Sequence, residues 1–170
     1  DITRIESGRL AFRFGQIDFA AVVRETTERF HDHMISSGCT VHVSATGPIW
    51  IEGDRFRLEQ VVVNLLSNAA KYAAKRPVEV RVEEIPEQRV RLVCRDSGPG
   101  IPPDKLGKIF ERFERAATSD FTSGLGLGLY ITREIVSAHE GRIYVESELG
   151  KGATFYVELP KTRRTSSSST

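Results

Sequence analysis

Cysteine is scarce in this 170-residue chain: Cys39 and Cys94 are the only two. They are too few for a disulfide framework and lack the spacing of a zinc site, so reduced thiols are expected. No apolar stretch, Val61-Val62-Val63 and Leu92-Val93-Cys94 included, comes near the roughly 20 residues that span a bilayer. Neither sign of charge dominates, with 24 Lys and Arg against 23 Asp and Glu and a net charge of +1. No global field therefore draws in nucleic acid or an anionic membrane, and any anion must be held locally. The opening Asp1-Ile2-Thr3-Arg4 has no Met, basic leader or apolar core of a signal peptide, and reads as a cut from a longer protein. These absences point to a cytoplasmic domain that contacts neither nucleic acid nor membrane. A hydrophobic fraction of 39% and a charged fraction of 28% are those of an ordinary folded domain, and the length suits one domain.

Periodicity supplies the elements. From Asp18 to about Ser36, Phe19, Val22, Val23, Thr26 and Phe30 recur at helical spacing, and Gly38 closes the run. Val41, Val43 and Ala45 alternate as in a strand, Gly47-Pro48 turns the chain toward Ile49-Trp50-Ile51, and a second helix is expected over 54–74. Val78, Val80, Val82 and then Val90, Leu92, Cys94 alternate around Pro86-Glu87-Gln88 as a hairpin whose second strand ends at Asp96. Residues 97–123 read as a long mobile loop carrying one short amphipathic helix around Ile109, Phe110 and Phe113. A helix over 127–138 and two strands through Ile143, Val145 and Phe155, Val157, Leu159 follow, and 161–170 reads as a disordered polar tail. Three helices with a mixed, mostly antiparallel sheet give an α/β two-layer sandwich, the helices covering one face.

Three patterns carry chemistry. Within the second helix Leu58, Val61, Val62, Leu65, Leu66 and Ala69 share one side, while Asn64, Asn68, Lys71 and Tyr72 form a separate stripe. Asparagine is a poor helix former on a surface. A carboxamide oxygen suits Mg²⁺, which shares its shell with waters and substrate phosphates, and Lys71 would offset phosphate charge. Asp96-Ser97-Gly98-Pro99-Gly100-Ile101 places a carboxylate at a strand end before two glycines, either as a ligand group or as the cap of a turn. Gly124-Leu125-Gly126-Leu127-Gly128-Leu129 runs glycines into a helix start, where free N–H groups favour an anion.

The order of these pieces resembles the ATP-binding catalytic domain of bacterial sensor histidine kinases, in the superfamily of the gyrase, heat-shock chaperone and mismatch-repair ATPases. The resemblance covers about residues 4–160. The asparagine box is Gln60 to Tyr72 and the first glycine box Asp96 to Ile101. Ile109-Phe110-Glu111-Arg112-Phe113-Glu114-Arg115 matches the phenylalanine box. The second glycine box is Gly124 to Leu129, and Gly150-Lys151-Gly152-Ala153-Thr154-Phe155 is the third. The resemblance implies the Bergerat-type ATP-binding fold with ATP and Mg²⁺ as cofactors. Asn68 would be the magnesium ligand with Asn64 beside it, Asn64 and Lys71 would serve catalysis, and Tyr72 would reach the nucleotide. Asp96 would accept a hydrogen bond from the adenine amino group, and guanine's keto group would leave that acceptor unpaired. Gly98, Gly100, Ile101, Gly124, Gly126, Leu127 and Gly128 would line the nucleotide, with Arg115 reaching toward phosphate from a lid over 102–123. Phe110 and Phe113 would anchor that lid, by packing or by gating.

Leu125 and Ala153 stand where the family often has a hydroxyl residue, which leaves Thr154 as the nearer candidate for a phosphate contact. None of the four histidines lies in the His-Glu or His-Asp sequence of the family's phosphoacceptor. His139 matches a structural position, and His31, His33 and His42 read as surface or packing residues. Residues 1–10 resemble the end of the dimerisation hairpin and its linker, and 11–160 the catalytic domain. The implied activity is transfer of the ATP γ-phosphoryl group to a histidine on a dimerisation domain outside this chain, with a response regulator downstream. The alternative is a conformational ATPase or nucleotide-sensing module of the same superfamily. In the clamp ATPases a water-activating Glu stands at the position of Asn64, and an amide takes no proton.

Overall fold

The computed structural model describes residues 11–72, 75–111 and 128–164. The chain runs through β1 (Gly15–Asp18), α1 (Phe19–Ser36), β2 (Val41–Ala45), β3 (Trp50–Gly53) and α2 (Arg55–Tyr72). The hairpin β4 (Val78–Ile85) and β5 (Arg89–Asp96) follows, then α3 (Gly128–Ala138), β6 (Arg142–Ser147) and β7 (Ala153–Pro160). Two aspartates set the helix starts. The Asp18 carboxylate accepts the Ala21 N–H at 3.3 Å and the Ile49 N–H at 3.0 Å, so one side chain caps α1 and holds the entry to β3. Asp54 accepts the Arg57 N–H at 3.1 Å as the cap of α2, and its second oxygen takes the Arg13 N–H at 2.7 Å.

Five strands pair in the order β2-β4-β5-β7-β6. Only β2 and β4 run parallel, while β1 and β3 form a separate antiparallel ribbon. Alternation sends Val80, Val82, Leu92, Cys94, Phe155 and Val157 to one face, where they meet buried Val22, Leu58, Leu65 and Ile135 from the three helices. The mixed sheet with helices on one face is the sandwich that the pattern predicts. Burial holds the Cys94 thiol up at about 12, reinforced by the nearby Asp96 charge, so it stays a protonated core residue.

The sheet's other face is polar and built around Glu158, whose side chain is 1% exposed. Its oxygens accept from Arg89 at 2.8 Å, Arg91 at 2.8 and 3.0 Å, Arg142 at 2.9 Å and the Tyr144 hydroxyl at 2.7 Å. Burial alone would raise the pKa of this carboxyl, but the hydrogen bonds from Tyr144, Arg142 and Arg91 outweigh it and bring it to about 2. Tyr144 stacks on Tyr156 with ring centroids 4.8 Å apart, which closes the cluster.

Several expectations change. β1 gave no alternating signal because it is four residues long. Residues 102–111 form successive turns rather than a helix, with N–H groups of Lys105, Lys108 and Glu111 bonded to carbonyls three residues earlier; Gly107 and two prolines disfavour a continuous helix there. Phe113 and the other residues of the phenylalanine box from Arg112 to Arg115 lie outside the described residues. The disordered tail expected from 161 is corrected for 161–164. Lys161 bonds through its N–H to the Gln88 carbonyl and through its carbonyl to the Glu52 N–H, and Arg163 pairs with Glu52 and Glu140.

Candidate functional site

The stripe on α2 meets the start of α3. Asn64, half-buried, donates through Nδ2 to the Gly128 carbonyl and to Thr132 Oγ1, each at 3.2 Å. Asn68 lies one turn further along, also half-buried, and exposed Lys71 and half-buried Tyr72 end the helix. Gly128 sits against Asn64, with room for ordinary contact. Asn64 and Gly128, 64 residues apart in sequence, are thus brought together.

Asp96 ends β5 on the helix-facing side, 4% exposed. One carboxylate oxygen accepts the Gly98 N–H at 2.9 Å. Burial pushes its pKa up, and the N–H groups of Gly98 and Ala153 offset that only in part. No cation pairs with it among the described residues. A buried acceptor with spare capacity and no counter-ion is a position for a donor from a ligand. The turn cap does not exhaust the carboxylate, because the bond to Gly98 uses one oxygen alone.

The first and third glycine boxes are packed against each other and against α2. A Cβ on Gly98 would fall 1.8 Å from the Tyr72 carbonyl oxygen, one on Gly100 2.3 Å from the Glu148 oxygen, and one on Gly152 2.1 Å from the Asp96 oxygen. Gly100 and Gly152 also hold φ of +81° and +84°. Buried Ile101 donates its N–H to Ser147 Oγ at 2.8 Å, and that hydroxyl donates to the Gly152 carbonyl at 2.8 Å. Gly98 and Gly100, expected to line the nucleotide, are packed against other backbone on the side where a Cβ would stand.

Thr154 is not brought to the site. It pairs with Arg95 and shares the polar sheet face with Tyr156 and Glu158, whereas Asp96 pairs with Ala153 on the helix side. A one-residue step on a strand reverses the face, so Thr154 is withdrawn as a phosphate contact. Arg115, Gly124, Gly126 and Leu127 lie outside the described residues.

His139 is structural. It is buried, accepts the Asp54 N–H on Nε2 at 3.0 Å, and sets Nδ1 2.8 Å from the Ile135 carbonyl between the rings of Phe12 and Phe14. Burial lowers its pKa, so the ring is neutral. His31, His33 and His42 are exposed, His33 against the Phe30 ring.

Thr132 and Ser147 were not singled out in the sequence. Nothing local marks Thr132 in the sequence; for Ser147 the available sign was position alone, just ahead of the third glycine box.

Residues 53–163 match the family model described as histidine kinase-, DNA gyrase B- and HSP90-like ATPase. The adaptive-response sensory kinase SasA of Synechococcus elongatus is 33% identical over 167 residues, which cover 97% of this chain and 43% of that protein. The full-length structure of ShkA in complex with AMPPNP is similar at a TM-score of 0.78 and 31% identity, covering 89% of this chain and 32% of that one. The histidine kinase ThkA in complex with the response regulator protein TrrA superimposes at a TM-score of 0.76 and 25% identity, over 95% of this chain and 46% of that one. The chain therefore spans less than half the length of each of these three relatives.

Proposed function

The chain belongs to the histidine kinase-, DNA gyrase B- and HSP90-like ATPase family, and from that membership we propose that it is the ATP-binding catalytic domain of a two-component sensor histidine kinase. It passes the γ-phosphoryl group of ATP to a histidine on a dimerisation domain, and through that domain serves a response regulator. The proposed setting is the cytoplasm; among the described residues no helix is long and apolar enough to cross a membrane.

One observation carries the choice of kinase over water-activating ATPase. Asn64 faces a carbonyl at 3.2 Å, and a carbonyl only accepts, so the group there must be a donor. A carboxamide with its nitrogen so engaged has no site for a proton taken from water. Catalysis is then positioning and charge neutralisation, with the acceptor histidine as nucleophile. Asp96 reads the adenine amino group, Lys71 and the amides at the start of α3 hold phosphate, and Tyr72 packs by the nucleoside. The segment from Pro102 serves as the lid.

Magnesium fits the donor set. Among the described residues no group of three or more His, Cys, Asp or Glu side chains is placed to hold a metal. The carboxamide oxygens of Asn64 and Asn68 are hard neutral donors that leave coordination positions to phosphates and water, as Mg²⁺ prefers. When bound, the ion supplies neutralisation of phosphate charge.

The test is incubation with γ-labelled ATP, alone and with a dimerisation hairpin from a homologous kinase. Label on the hairpin as an acid-labile, base-stable phosphohistidine, with none on this chain, is expected. Steady release of inorganic phosphate without an acceptor, and no transfer to the hairpin, would establish the conformational ATPase instead.

A further inference from the structure

Thr132 is fully buried one turn into α3, and its hydroxyl makes two contacts of opposite polarity. Oγ1 donates its single proton to the Gly128 carbonyl at 2.7 Å. The oxygen, which keeps both lone pairs as acceptors, receives Asn64 Nδ2 at 3.2 Å, and the same nitrogen reaches the Gly128 carbonyl at 3.2 Å. Both hydrogens of the Asn64 amide are therefore used. Neither contact survives a flip of the amide, because its oxygen would then face a carbonyl oxygen and a hydroxyl whose proton is committed elsewhere. We infer that Thr132 is a positioning residue for the nucleotide site: it fixes the Asn64 carboxamide so that the amide oxygen, and not the nitrogen, is presented away from α3 to the metal–nucleotide complex.

This inference rests on the reading of Asn64 as part of an ATP–magnesium site. It goes beyond that reading by making the polarity of the ligand group depend on a residue that touches neither nucleotide nor metal. A hydroxyl bonded to the carbonyl four residues back is common in helices and by itself carries no such role. The difference here is the third member, a side chain from another helix that donates to the hydroxyl oxygen.

Thr132→Val keeps the shape and removes the hydroxyl, while Thr132→Ser keeps the hydroxyl and removes a methyl. ATP affinity is measured by calorimetry across a Mg²⁺ titration, with melting curves for each protein. Thr132→Val is expected to weaken Mg–ATP binding roughly three- to tenfold, the size of one hydrogen bond, and to raise the Mg²⁺ concentration at half-effect. Thr132→Ser should stay within about twofold of wild type on both measures, on the same scale. If Thr132→Val does not fold, Thr132→Ala in the cold takes its place. A packing role gives the reverse order, with Thr132→Ser the less stable protein and Thr132→Val unchanged in metal dependence, and that result overturns the inference. Wild-type protein whose ATP affinity ignores Mg²⁺ would instead remove the underlying reading of the site.

Discussion

Asp96 and Glu158 are both buried carboxylates, on adjacent strands β5 and β7, yet they lie on opposite faces of the sheet and behave oppositely. Glu158 is surrounded by three arginines and a tyrosine hydroxyl, which bring its pKa down to about 2. Asp96 has, among the described residues, backbone N–H partners alone, and its pKa is raised by burial. Burial does not separate the two; saturation does. Glu158 has every lone-pair direction occupied from within the fold and nothing left for a ligand, so its work is to join β5, β6 and β7. Asp96 is left short of donors, and a group left short inside a fold is where an external donor belongs.

The largest effect expected from disturbing this contrast is that of Glu158→Gln. Three partly exposed arginines lose their common anion, at a cost of about 2–4 kcal/mol in urea unfolding, while ATP affinity stays as in wild type. A fall in ATP affinity at unchanged stability would mean that the polar face serves the site. Next comes Asp96→Asn, which keeps an acceptor for the Gly98 N–H and removes the charge. ATP affinity should drop by about 1.5–3 kcal/mol, one to two decades, and ATP/GTP selectivity should shrink, with thermal stability little changed. Equal losses for both nucleotides together with a lower melting temperature would reduce Asp96 to a turn cap.

The smallest effect is spread over pH. Glu158 titrates in the fold at about 2 against an ordinary value of 4.5, so its contribution is complete above about pH 4.5 and is lost as pH falls toward 2. Asp96 has the opposite sign: the fold holds its proton more tightly than the unfolded chain does, so acidification removes the charged acceptor without destabilising the domain. Acidification should therefore lower nucleotide affinity and stability through different groups, and Glu158→Gln should flatten the stability curve while leaving the affinity curve as in wild type. An affinity curve that flattens with it would break the contrast.

Most of the architecture was legible because it follows from two periods. Alternation in Val78, Val80, Val82 and Val90, Leu92, Cys94 marked the central hairpin, and the apolar side of α2 separated itself from the asparagine stripe. What could not be read depends on neighbours distant in sequence. β1 is too short to show a period and exists by pairing with β3. Thr154 offers a hydroxyl one residue from Ala153, where the family often has one, and that one step of pleat puts it on the wrong face. The partners of Asn64 come from 64 and 68 residues away, and no local pattern announces them. Asp96 stood out by its position before two glycines, but that no cation among the described residues lies beside it is a property of the folded surroundings.

Gly98, Gly100 and Gly152 each stand where a methyl group would collide with a carbonyl oxygen of another segment. In a library of random variants all three would be purged at the folding step, before any nucleotide was offered. Their invariance in such a library would measure how closely three loops are stacked and would say nothing about phosphate. Gly150 also has room for a methyl but holds a φ of +82°, which leaves Gly128, with room and no such φ, as the described glycine of the boxes at which selection for nucleotide and selection for folding can be told apart.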